Sequence, residues 1–420
     1  MKQYLTQLKY VMDHGVIKSP ARPNMPSTRS IFGYHKRYNL QDGFPILTTK
    51  KVFWKGVVIE LLWFLTGKTN VTYLVDNNVL FWNQDSYAYY KKIALKHEKD
   101  QAINLIYQPV SNKLNVRNPT NKDDVDAFSL FTFEEFENIL KTTDYNNLPR
   151  YNNYVLGDCG IQYGKLWRNL KGLNGDDEII VVDQFKDLIK SLINNPESRR
   201  HIISAWNPFT LNDMALPACH SFIQWNCRKL SQIERYEIYK NTKNRFELKQ
   251  SLGSYLYDEN YLQKDEDDIP DPIGFYLNDE EQRYLDSKNI PKYKLDCQLY
   301  QRSGDIFLGT PLNSASYSLL THIVAKLTNM IVGEFIHTFG DVHLYDNLIE
   351  PAKEQLTRDP DKYQLPNLIL SDKFDSNNLP IDIDKDLDVW LESLTLNDFK
   401  LDNYQSYPSI KGELSTGIIK

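Results

Sequence analysis

The clearest signal in this chain is the segment Leu216-Pro217-Ala218-Cys219-His220-Ser221-Phe222-Ile223-Gln224-Trp225, followed much later by Cys297-Gln298-Leu299-Tyr300-Gln301-Arg302-Ser303-Gly304-Asp305. The first segment places a thiol beside a histidine, and the second supplies an arginine and a serine suited to binding an anion. A free cysteine has a pKa of roughly 8.5 and only its thiolate is a useful nucleophile, so a nearby cation or base is needed to activate it. Cys219 is therefore the candidate nucleophile.

The bulk composition narrows the class of protein. The chain has 420 residues, 41% of them hydrophobic, so it can bury a large core, and its length alone is compatible with one large domain or several ordinary ones. Its net charge of −6 gives no overall basic field. A nucleic acid is therefore not the expected substrate, and a small anionic ligand would need a local cluster of arginines.

Cysteine usage and hydropathy indicate the compartment. Four cysteines in a chain of this length do not make a disulfide framework, and no two stand at C-x-x-C spacing for zinc or redox chemistry. No apolar run approaches the roughly 20 residues of a membrane span, and the N-terminal residues lack the apolar region of a signal peptide. We expect a cytoplasmic protein, in the host cytoplasm if the gene is viral, without a metal site or membrane contact.

Hydrophobic periodicity predicts several elements around the opening segments. Residues 1–15 have the spacing of an amphipathic helix, and residues 30–40 alternate like a strand. An apolar helix is predicted at 57–65, and another helix at 183–195. Pro196 ends that second helix and is followed by Ser198-Arg199-Arg200 and a strand at 201–206.

Two stretches differ in composition from their surroundings. Residues 91–153 are rich in Asn, Lys and Asp, and residues 228–293 carry charged runs such as 264–268. Both are typical of insertions tolerated at the surface of a compact enzyme. We find no internal repeat and no Gly/Ser linker. The prediction is a single domain over residues 1–420 with insertions at about 91–153 and 228–293.

Further motifs accompany the two opening segments in a consistent order. They are Asp42-Gly43-Phe44-Pro45, Thr48-Thr49-Lys50, the stretches 60–65, 157–158 and 163–168, Ser198-Arg199-Arg200, and the stretches 308–317 and 340–345. Together they resemble the thymidylate synthase family over about two-thirds of the chain, with both predicted insertions outside the match. The resemblance implies an α/β (α+β) fold, a mixed sheet layered with helices, built as a symmetric homodimer.

The resemblance also implies covalent catalysis by Cys219. In the family the thiolate adds to C6 of the uracil ring of dUMP, which makes C5 nucleophilic towards the one-carbon unit of 5,10-methylenetetrahydrofolate, the folate co-substrate. Arg302 and Ser303 resemble the phosphate ligands, and Arg302 would also favour the thiolate. Cys159, Cys227 and Cys297 lack such surroundings and are expected to be structural. The residues that resemble the family's proton-relay groups are Glu60, Tyr163 and His220.

Other positions match residues that bind the nucleotide. Asn313 resembles the asparagine that reads the uracil edge, and asparagine rather than aspartate there favours uracil over cytosine. Arg199 and Arg200 resemble the pair that reaches the other subunit's phosphate, so each site would need both chains. The remaining substrate-binding candidates are Arg22, Gln301, Asp305, His343 and Tyr345, of which the last two resemble ligands of the ribose 3′-hydroxyl.

Three residues resemble the folate-binding positions of the family. Asp305 matches the carboxylate that holds the pterin ring, and Trp82 matches the tryptophan that stacks near the transferred methylene. Lys50 lies where the family places a cation for the glutamyl tail. Without a ligand, a lysine in such a sequence is expected to be an ordinary surface charge.

The chain departs from the family pattern at several points. The phosphate loop reads Arg22-Pro23-Asn24-Met25-Pro26-Ser27-Thr28 in place of Arg-Thr-Gly-Thr-Gly, and its prolines restrict the motion of the loop. Ala218 replaces the usual proline, and Asn83 an aspartate. The C-terminal segment starts as Tyr407-Pro408-Ser409-Ile410-Lys411 but then runs on to Lys420. If that segment fails to close over the folate, water can intercept the methylene intermediate.

The sequence leaves three functions open. The first is a thymidylate synthase, a methyltransferase that converts dUMP and methylenetetrahydrofolate to dTMP and dihydrofolate. The second is a dUMP hydroxymethyltransferase, which uses the same nucleophile and folate but ends with attack by water. The third is a non-catalytic nucleotide-binding or RNA-binding member of the fold, and the retained thiol, arginine, asparagine and glutamate argue against it.

Overall fold

The computed structural model describes residues 1–20, 25–99, 130–151, 153–242 and 277–412. The strands are β1 (Val16–Lys18), β2 (Thr28–Asn39), β3 (Arg150–Tyr151), β4 (Tyr154–Val155), β5 (Leu170–Leu173), β6 (Ile179–Val182), β7 (Ile202–Ser204), β8 (His220–Lys229), β9 (Tyr293–Asp305), β10 (Ile331–Tyr345), β11 (Asn367–Leu370) and β12 (Phe399–Asp402). The α-helices are α1 (Lys2–His14), α2 (Trp54–Leu65), α3 (Thr72–Asp76), α4 (Asn83–Lys99), α5 (Phe133–Thr142), α6 (Tyr163–Arg168), α7 (Gln184–Asn194), α8 (Gln232–Thr242), α9 (Asp279–Ser287), α10 (Gly309–Leu327), α11 (Ile349–Leu356) and α12 (Ile383–Ser393).

A mixed sheet organises the molecule, with strand order β1-β2-β10-β9-β8-β7. Strands β9 and β10 are parallel, and the other neighbours are antiparallel. Parallel neighbours require a crossover connection, which α10 provides. The predicted mixed sheet layered with helices is confirmed, and so are the elements predicted near 1–15, 30–40, 57–65, 183–195 and 201–206.

The helices cover one face of the sheet because their apolar residues find partners there. Helix α2 is buried along almost its whole length, as expected for a helix that is apolar all round. Its neighbour α10 is also largely buried, and both contribute to the main core. The core includes Trp63, Trp167 and Trp225, which are almost completely buried.

The opposite face of the sheet carries exposed aromatic side chains. Phe222 and Tyr300 are partners in the β8–β9 register, and 37% and 38% of their surfaces are exposed. Phe32 on β2 is 81% exposed. Large apolar side chains on one sheet face normally mark a contact surface.

The two stretches of unusual composition differ in how they pack. In the first, α5 begins with a capping box formed by Thr132 and Glu135, and it buries Phe136 and Leu140 in the main core. In the second, α8 and α9 form a separate small apolar cluster with its own buried residues: Tyr236, Tyr239, Leu277, Leu285 and Ile290. Residues 100–129 and 243–276 of these stretches lie outside the described part of the chain. Within the described residues, no helix combines the length and hydropathy needed to cross a bilayer.

Candidate active site

The thiol and the guanidinium are brought together by the antiparallel pairing of β8 and β9. Cys219 immediately precedes β8, where His220 pairs with Gln301, and the Arg302 N–H donates to the Cys219 carbonyl at 2.9 Å. The Arg302 Nη2 lies 3.6 Å from the Cys219 Sγ. The structure therefore brings these two candidate residues together.

The Arg302 side chain is oriented by backbone carbonyls and not by acids. Its Nε donates to the Ala218 carbonyl at 2.9 Å, and its Nη2 donates to the Pro217 carbonyl at 2.6 Å. The Trp206 ring lies 5.5 Å from the guanidinium carbon. Among the described residues no carboxylate pairs with Arg302, so its charge is left to stabilise a thiolate or a bound anion.

Tyr163 holds the backbone of the nucleophile segment. Its buried hydroxyl accepts from the Cys219 N–H at 2.7 Å and from the His220 N–H at 3.3 Å. Burial, together with the nearby Cys219, raises the pKa of Tyr163 well above its usual value. The phenol therefore stays protonated, and it accepts two bonds while keeping a proton of its own to donate.

Glu60 on α2 is a buried carboxyl next to this tyrosine. The Trp82 indole N–H donates to its Oε1 at 2.6 Å, and the Trp82 ring centroid lies 6.2 Å from that of Tyr163. Burial raises the pKa of Glu60 to about 7, against the smaller opposing effect of the Trp82 bond. A carboxyl that titrates near neutrality is suited to proton transfer.

The buried amide of Gln301 orients Asn313. The Gln301 Nε2 donates to the Asn313 Oδ1 at 3.1 Å and to the Ser303 carbonyl at 2.9 Å. The Gln301 Oε1 then accepts from the His337 Nε2 at 2.8 Å. His337 was missed by the sequence analysis, although it lies in the buried alternation of β10 just before the 340–345 motif.

His220 is neutral at physiological pH. Burial lowers the pKa of His220 to about 4, an interaction with the Asn313 side chain opposes that shift, and Arg302 adds to it. Its Nδ1 is buried and has no hydrogen-bond partner among the described residues. This ring nitrogen is therefore available to hydrogen-bond a ligand or a water molecule.

The ribose candidates lie at the end of β10. The His343 Nδ1 is 2.9 Å from the Asp341 Oδ1, and the His343 and Tyr345 rings meet edge-on at 5.1 Å between centroids. Asp341 was not among the sequence predictions. Its role could not be read from its own strand, because two of its partners come from β1 and β2.

The folate candidates Asp305 and Lys50 lie close together. The Asp305 Oδ1 accepts from the backbone N–H groups of Phe307 and Leu308 at 2.8 and 3.1 Å. Lys50 donates to the Phe307 carbonyl, and its Nζ lies 3.4 Å from the Phe307 ring centroid. Only 6% of Lys50 is exposed, so it is not an ordinary surface charge. Burial lowers the pKa of Lys50 to about 7, and the nearby Asp305 opposes that shift.

The C-terminal segment approaches the same group of residues. The Arg358 Nη1 donates to the Pro408 carbonyl at 2.7 Å, and the Tyr407 N–H donates to the Thr48 carbonyl at 2.8 Å. A Cβ placed on Gly412 would lie 3.2 Å from Leu308. The chain is therefore held against the folate candidates up to Gly412, and the extension 413–420 lies outside the described residues.

Arg199 and Arg200 lie on the protein surface, at a distance from Cys219 along the neighbouring strand. Arg199 and Arg200 are exposed between α7 and β7, and neither pairs with a carboxylate in the described part of the chain. The Arg199 carbonyl accepts from Gln224, five residues beyond Cys219 on neighbouring β8. That separation is about 16 Å at the usual rise of a strand. Arg22 lies outside the described residues.

Two positions at which the chain departs from the family pattern are buried in the structure. Ala218 is buried behind the nucleophile, where its carbonyl accepts from Arg302. Asn83 is buried at the start of α4, and its Nδ2 donates to the Glu137 Oε1 at 2.9 Å. Glu137 belongs to α5, so this substitution is matched by a partner in the 91–153 stretch.

The family model and the similar proteins found by comparison point to the same family. The sequence model of the thymidylate synthase family matches residues 2–242 and 279–416, which covers the first stretch of unusual composition and leaves out much of the second. The thymidylate synthase of Listeria monocytogenes serotype 4b (strain F2365) is 37% identical over 426 residues, covering 99% of this chain and 100% of the relative. Those of Malacoplasma penetrans and Mycoplasma pneumoniae are 33% and 34% identical, each over 417 residues and with the same coverage. These findings confirm the resemblance and the prediction of an enzyme of the methyltransferase class. The chain belongs to the thymidylate synthase family.

Proposed function

We propose that the protein is a thymidylate synthase, which methylates dUMP to dTMP with 5,10-methylenetetrahydrofolate as the source of carbon and hydride. The observation that carries the proposal is the Arg302 guanidinium, which lies 3.6 Å from the Cys219 sulfur and has no carboxylate partner among the described residues. It supplies a fixed positive charge at the position where a thiolate and a phosphate monoester would both need one.

The thiolate of Cys219 would form a bond to C6 of the uracil ring, and the electron pair of the C5–C6 double bond would move towards C5 and O4. Arg302 and Ser303 would hold the phosphate, as would Arg22. Asn313, oriented by Gln301, would donate to the uracil O4 and accept from N3–H. The buried Nδ1 of His220 is compatible with a bound water between the protein and the base.

Proton transfer around the base would fall to Glu60, Tyr163 and His220. Glu60 is the group whose pKa of about 7 allows it both to give and to take a proton at neutral pH. Tyr163 stays protonated and holds the nucleophile segment, so its proton is available at a fixed position. The neutral His220 completes the set next to Asn313.

The residues present fit a folate. Two backbone N–H groups hold the Asp305 Oδ1, and this carboxylate would accept from ring N–H donors of a pterin. Trp82 offers an aromatic surface beside Tyr163. Lys50 would pair with a glutamyl carboxylate, and a bound carboxylate would favour its protonated form, whose pKa burial lowers to about 7. When bound, the folate supplies the one-carbon unit and the hydride.

We also propose that the active form is a homodimer joined through the open face of the sheet. The exposed aromatic pair Phe222 and Tyr300 supports this, since such residues are enriched in protein interfaces. Arg199 and Arg200 stand at that face and away from their own Cys219. In the proposed dimer they would bind the phosphate in the partner's site.

The product identifies the reaction. Purified protein would be incubated with dUMP and methylenetetrahydrofolate, with dihydrofolate followed by absorbance and the nucleotide by mass. Equal amounts of dTMP and dihydrofolate are expected. Hydroxymethyl-dUMP without dihydrofolate would instead identify a dUMP hydroxymethyltransferase.

The variant Cys219→Ser separates an enzyme from a binding protein. Turnover should be lost while dUMP still binds, because the hydroxyl is a poor nucleophile at the same position. A wild-type protein that binds dUMP but forms neither dTMP nor hydroxymethyl-dUMP would contradict the catalytic proposal.

A further inference from the structure

We propose that Asp341 is a positioning residue that fixes the hydrogen-bonding state of His343. The inference rests on the proposed function, in which His343 binds the ribose 3′-hydroxyl of dUMP.

Asp341 collects donors from three strands of the sheet. The Ser30 Oγ on β2 donates to its Oδ2 at 2.8 Å, the Lys18 Nζ at the end of β1 donates to the same oxygen, and the His343 Nδ1 lies 2.9 Å from its Oδ1. Although partial burial opposes it, bonds from His343, Lys18 and Ser30 hold the pKa of Asp341 well below its usual value. The carboxylate is therefore ionised at all working pH values.

An ionised carboxylate sets the tautomer of the histidine. Because it can only accept, the Nδ1 of His343 must carry the proton. In the neutral ring the Nε2 then has a free lone pair and accepts a hydrogen bond. The ribose 3′-hydroxyl is a donor of the matching kind, and a nucleotide that lacks it would leave the Nε2 without that bond. The edge-on contact with Tyr345 limits rotation of the ring.

The test compares dUMP with 2′,3′-dideoxyuridine monophosphate, which lacks the 3′-hydroxyl. Binding of each nucleotide by calorimetry and kcat/KM for each would be measured for wild type, Asp341→Asn, His343→Ala and the double variant. In Asp341→Asn the amide can donate to Nδ1 and so reverse the tautomer. We expect the preference for dUMP to fall about tenfold, with little change for the dideoxy nucleotide.

The double variant separates positioning from general structural support. If Asp341 acts through His343, adding Asp341→Asn to His343→Ala should not lower the dUMP preference further. The variant Lys18→Met should leave the dUMP preference close to that of wild type, because it removes one partner of the carboxylate and leaves the contact with His343 in place.

Two outcomes contradict the inference in different ways. An unchanged dUMP preference in Asp341→Asn, with wild type binding dUMP normally, would overturn the inference alone. A wild-type protein that binds neither nucleotide would overturn the proposed function and this inference with it.

Discussion

At the scale of single residues, Glu60 is the group proposed to transfer protons, and burial of its ionised carboxylate lowers the stability of the fold. Burial raises its pKa to about 7, from an ordinary value near 4.5. The folded state therefore binds more protons between these two values, and stability contributed at this position falls as pH rises through them. The difference of about 2.5 units corresponds to a penalty on the order of 3 kcal/mol above pH 7.

The variant Glu60→Gln tests this balance. It should lower kcat about 10²- to 10⁴-fold by removing a proton-transfer group. It should also become more stable relative to wild type as pH rises from 4.5 towards 8, since glutamine does not ionise. Urea unfolding at several pH values, with dUMP binding as a check on the site, would measure both effects. A stability difference that does not vary with pH would contradict the assignment.

Lys36 on β2 affects the pH dependence of stability in the opposite direction. It is buried among the rings of Tyr4, Tyr38 and Phe339, with its Nζ 5.3 to 5.8 Å from their centroids, and the Nζ has no hydrogen-bond partner among the described residues. Burial lowers its pKa well below the usual value. The unfolded chain therefore binds the extra proton, and the cost to folding is greatest at low pH.

The variant Lys36→Met should stabilise the protein by about 1 to 3 kcal/mol at neutral pH, because it replaces an unpaired buried amine by an apolar chain of similar length. The gain should shrink as pH approaches the unfolded pKa of about 10.4, where the amine is neutral in both states. Thermal unfolding at pH 7 and pH 10 would measure it. The variant Lys51→Met, at an exposed lysine, serves as the control and should change stability little at either pH.

The sequence predicts the role of a residue that lies in a recognisable motif. It does not predict the burial or the partners of a residue whose contacts are distant along the chain. The nearness of Cys219 and Arg302 could be predicted because they lie in recognisable segments. The burial of Lys50 could not, because a lysine is usually exposed and its contact with Phe307 is 257 positions away along the chain. The role of Asp341 was likewise hidden, since its partner Lys18 is 323 positions away.

At the scale of elements, Arg358, two residues beyond the end of α11, contacts the C-terminal segment. Arg358 donates to the Thr49 and Pro408 carbonyls, each at 2.7 Å, and so joins the Lys50 segment to the C-terminal segment. Its Nη2 donates to the exposed Glu354 at 2.6 Å, and its guanidinium carbon lies 5.4 Å from the centroid of the Tyr407 ring. The segment that would exclude water from the folate therefore depends on a small number of bonds.

The variant Arg358→Met should loosen that segment and let water compete with hydride. We expect a lower yield of dTMP and a larger fraction of hydroxymethyl-dUMP, measured by mass of the nucleotide product. The matched control is Glu354→Gln, which removes an exposed ion pair and should leave the product ratio unchanged. An unchanged ratio in Arg358→Met would show that closure does not depend on this arginine.

Element boundaries were predictable where the pattern was strong, as in the apolar helix at 57–65 and the strand near 30–40. How a stretch of unusual composition packs against the rest of the molecule was not predictable. Residues 91–153 look like a polar insertion, yet α5 buries Phe136 in the main core and supplies Glu137 to Asn83. A single helical face of buried residues is enough to integrate such a stretch, and average composition does not reveal it.

At the scale of the whole molecule, the sheet has helices on one face and exposed aromatic residues on the other. The single chain places Cys219, Arg302 and Asn313 together but keeps Arg199 and Arg200 away from them. A second copy related by a two-fold axis would cover the open face and bring the same loop of the partner towards each site. The family resemblance of the sequence implies a homodimer, but the sequence does not show where the arginines lie relative to Cys219.

Complementation tests whether the arginines act across that axis. One inactive chain would carry Cys219→Ser and the other Arg199→Ala with Arg200→Ala. In a randomly reassembled mixture half the dimers are mixed, and each has one site with both an intact thiol and intact partner arginines. About a quarter of the wild-type site activity should therefore return. Activity equal to the sum of the separate variants, with size exclusion confirming mixed dimers, would mean that each chain uses its own arginines.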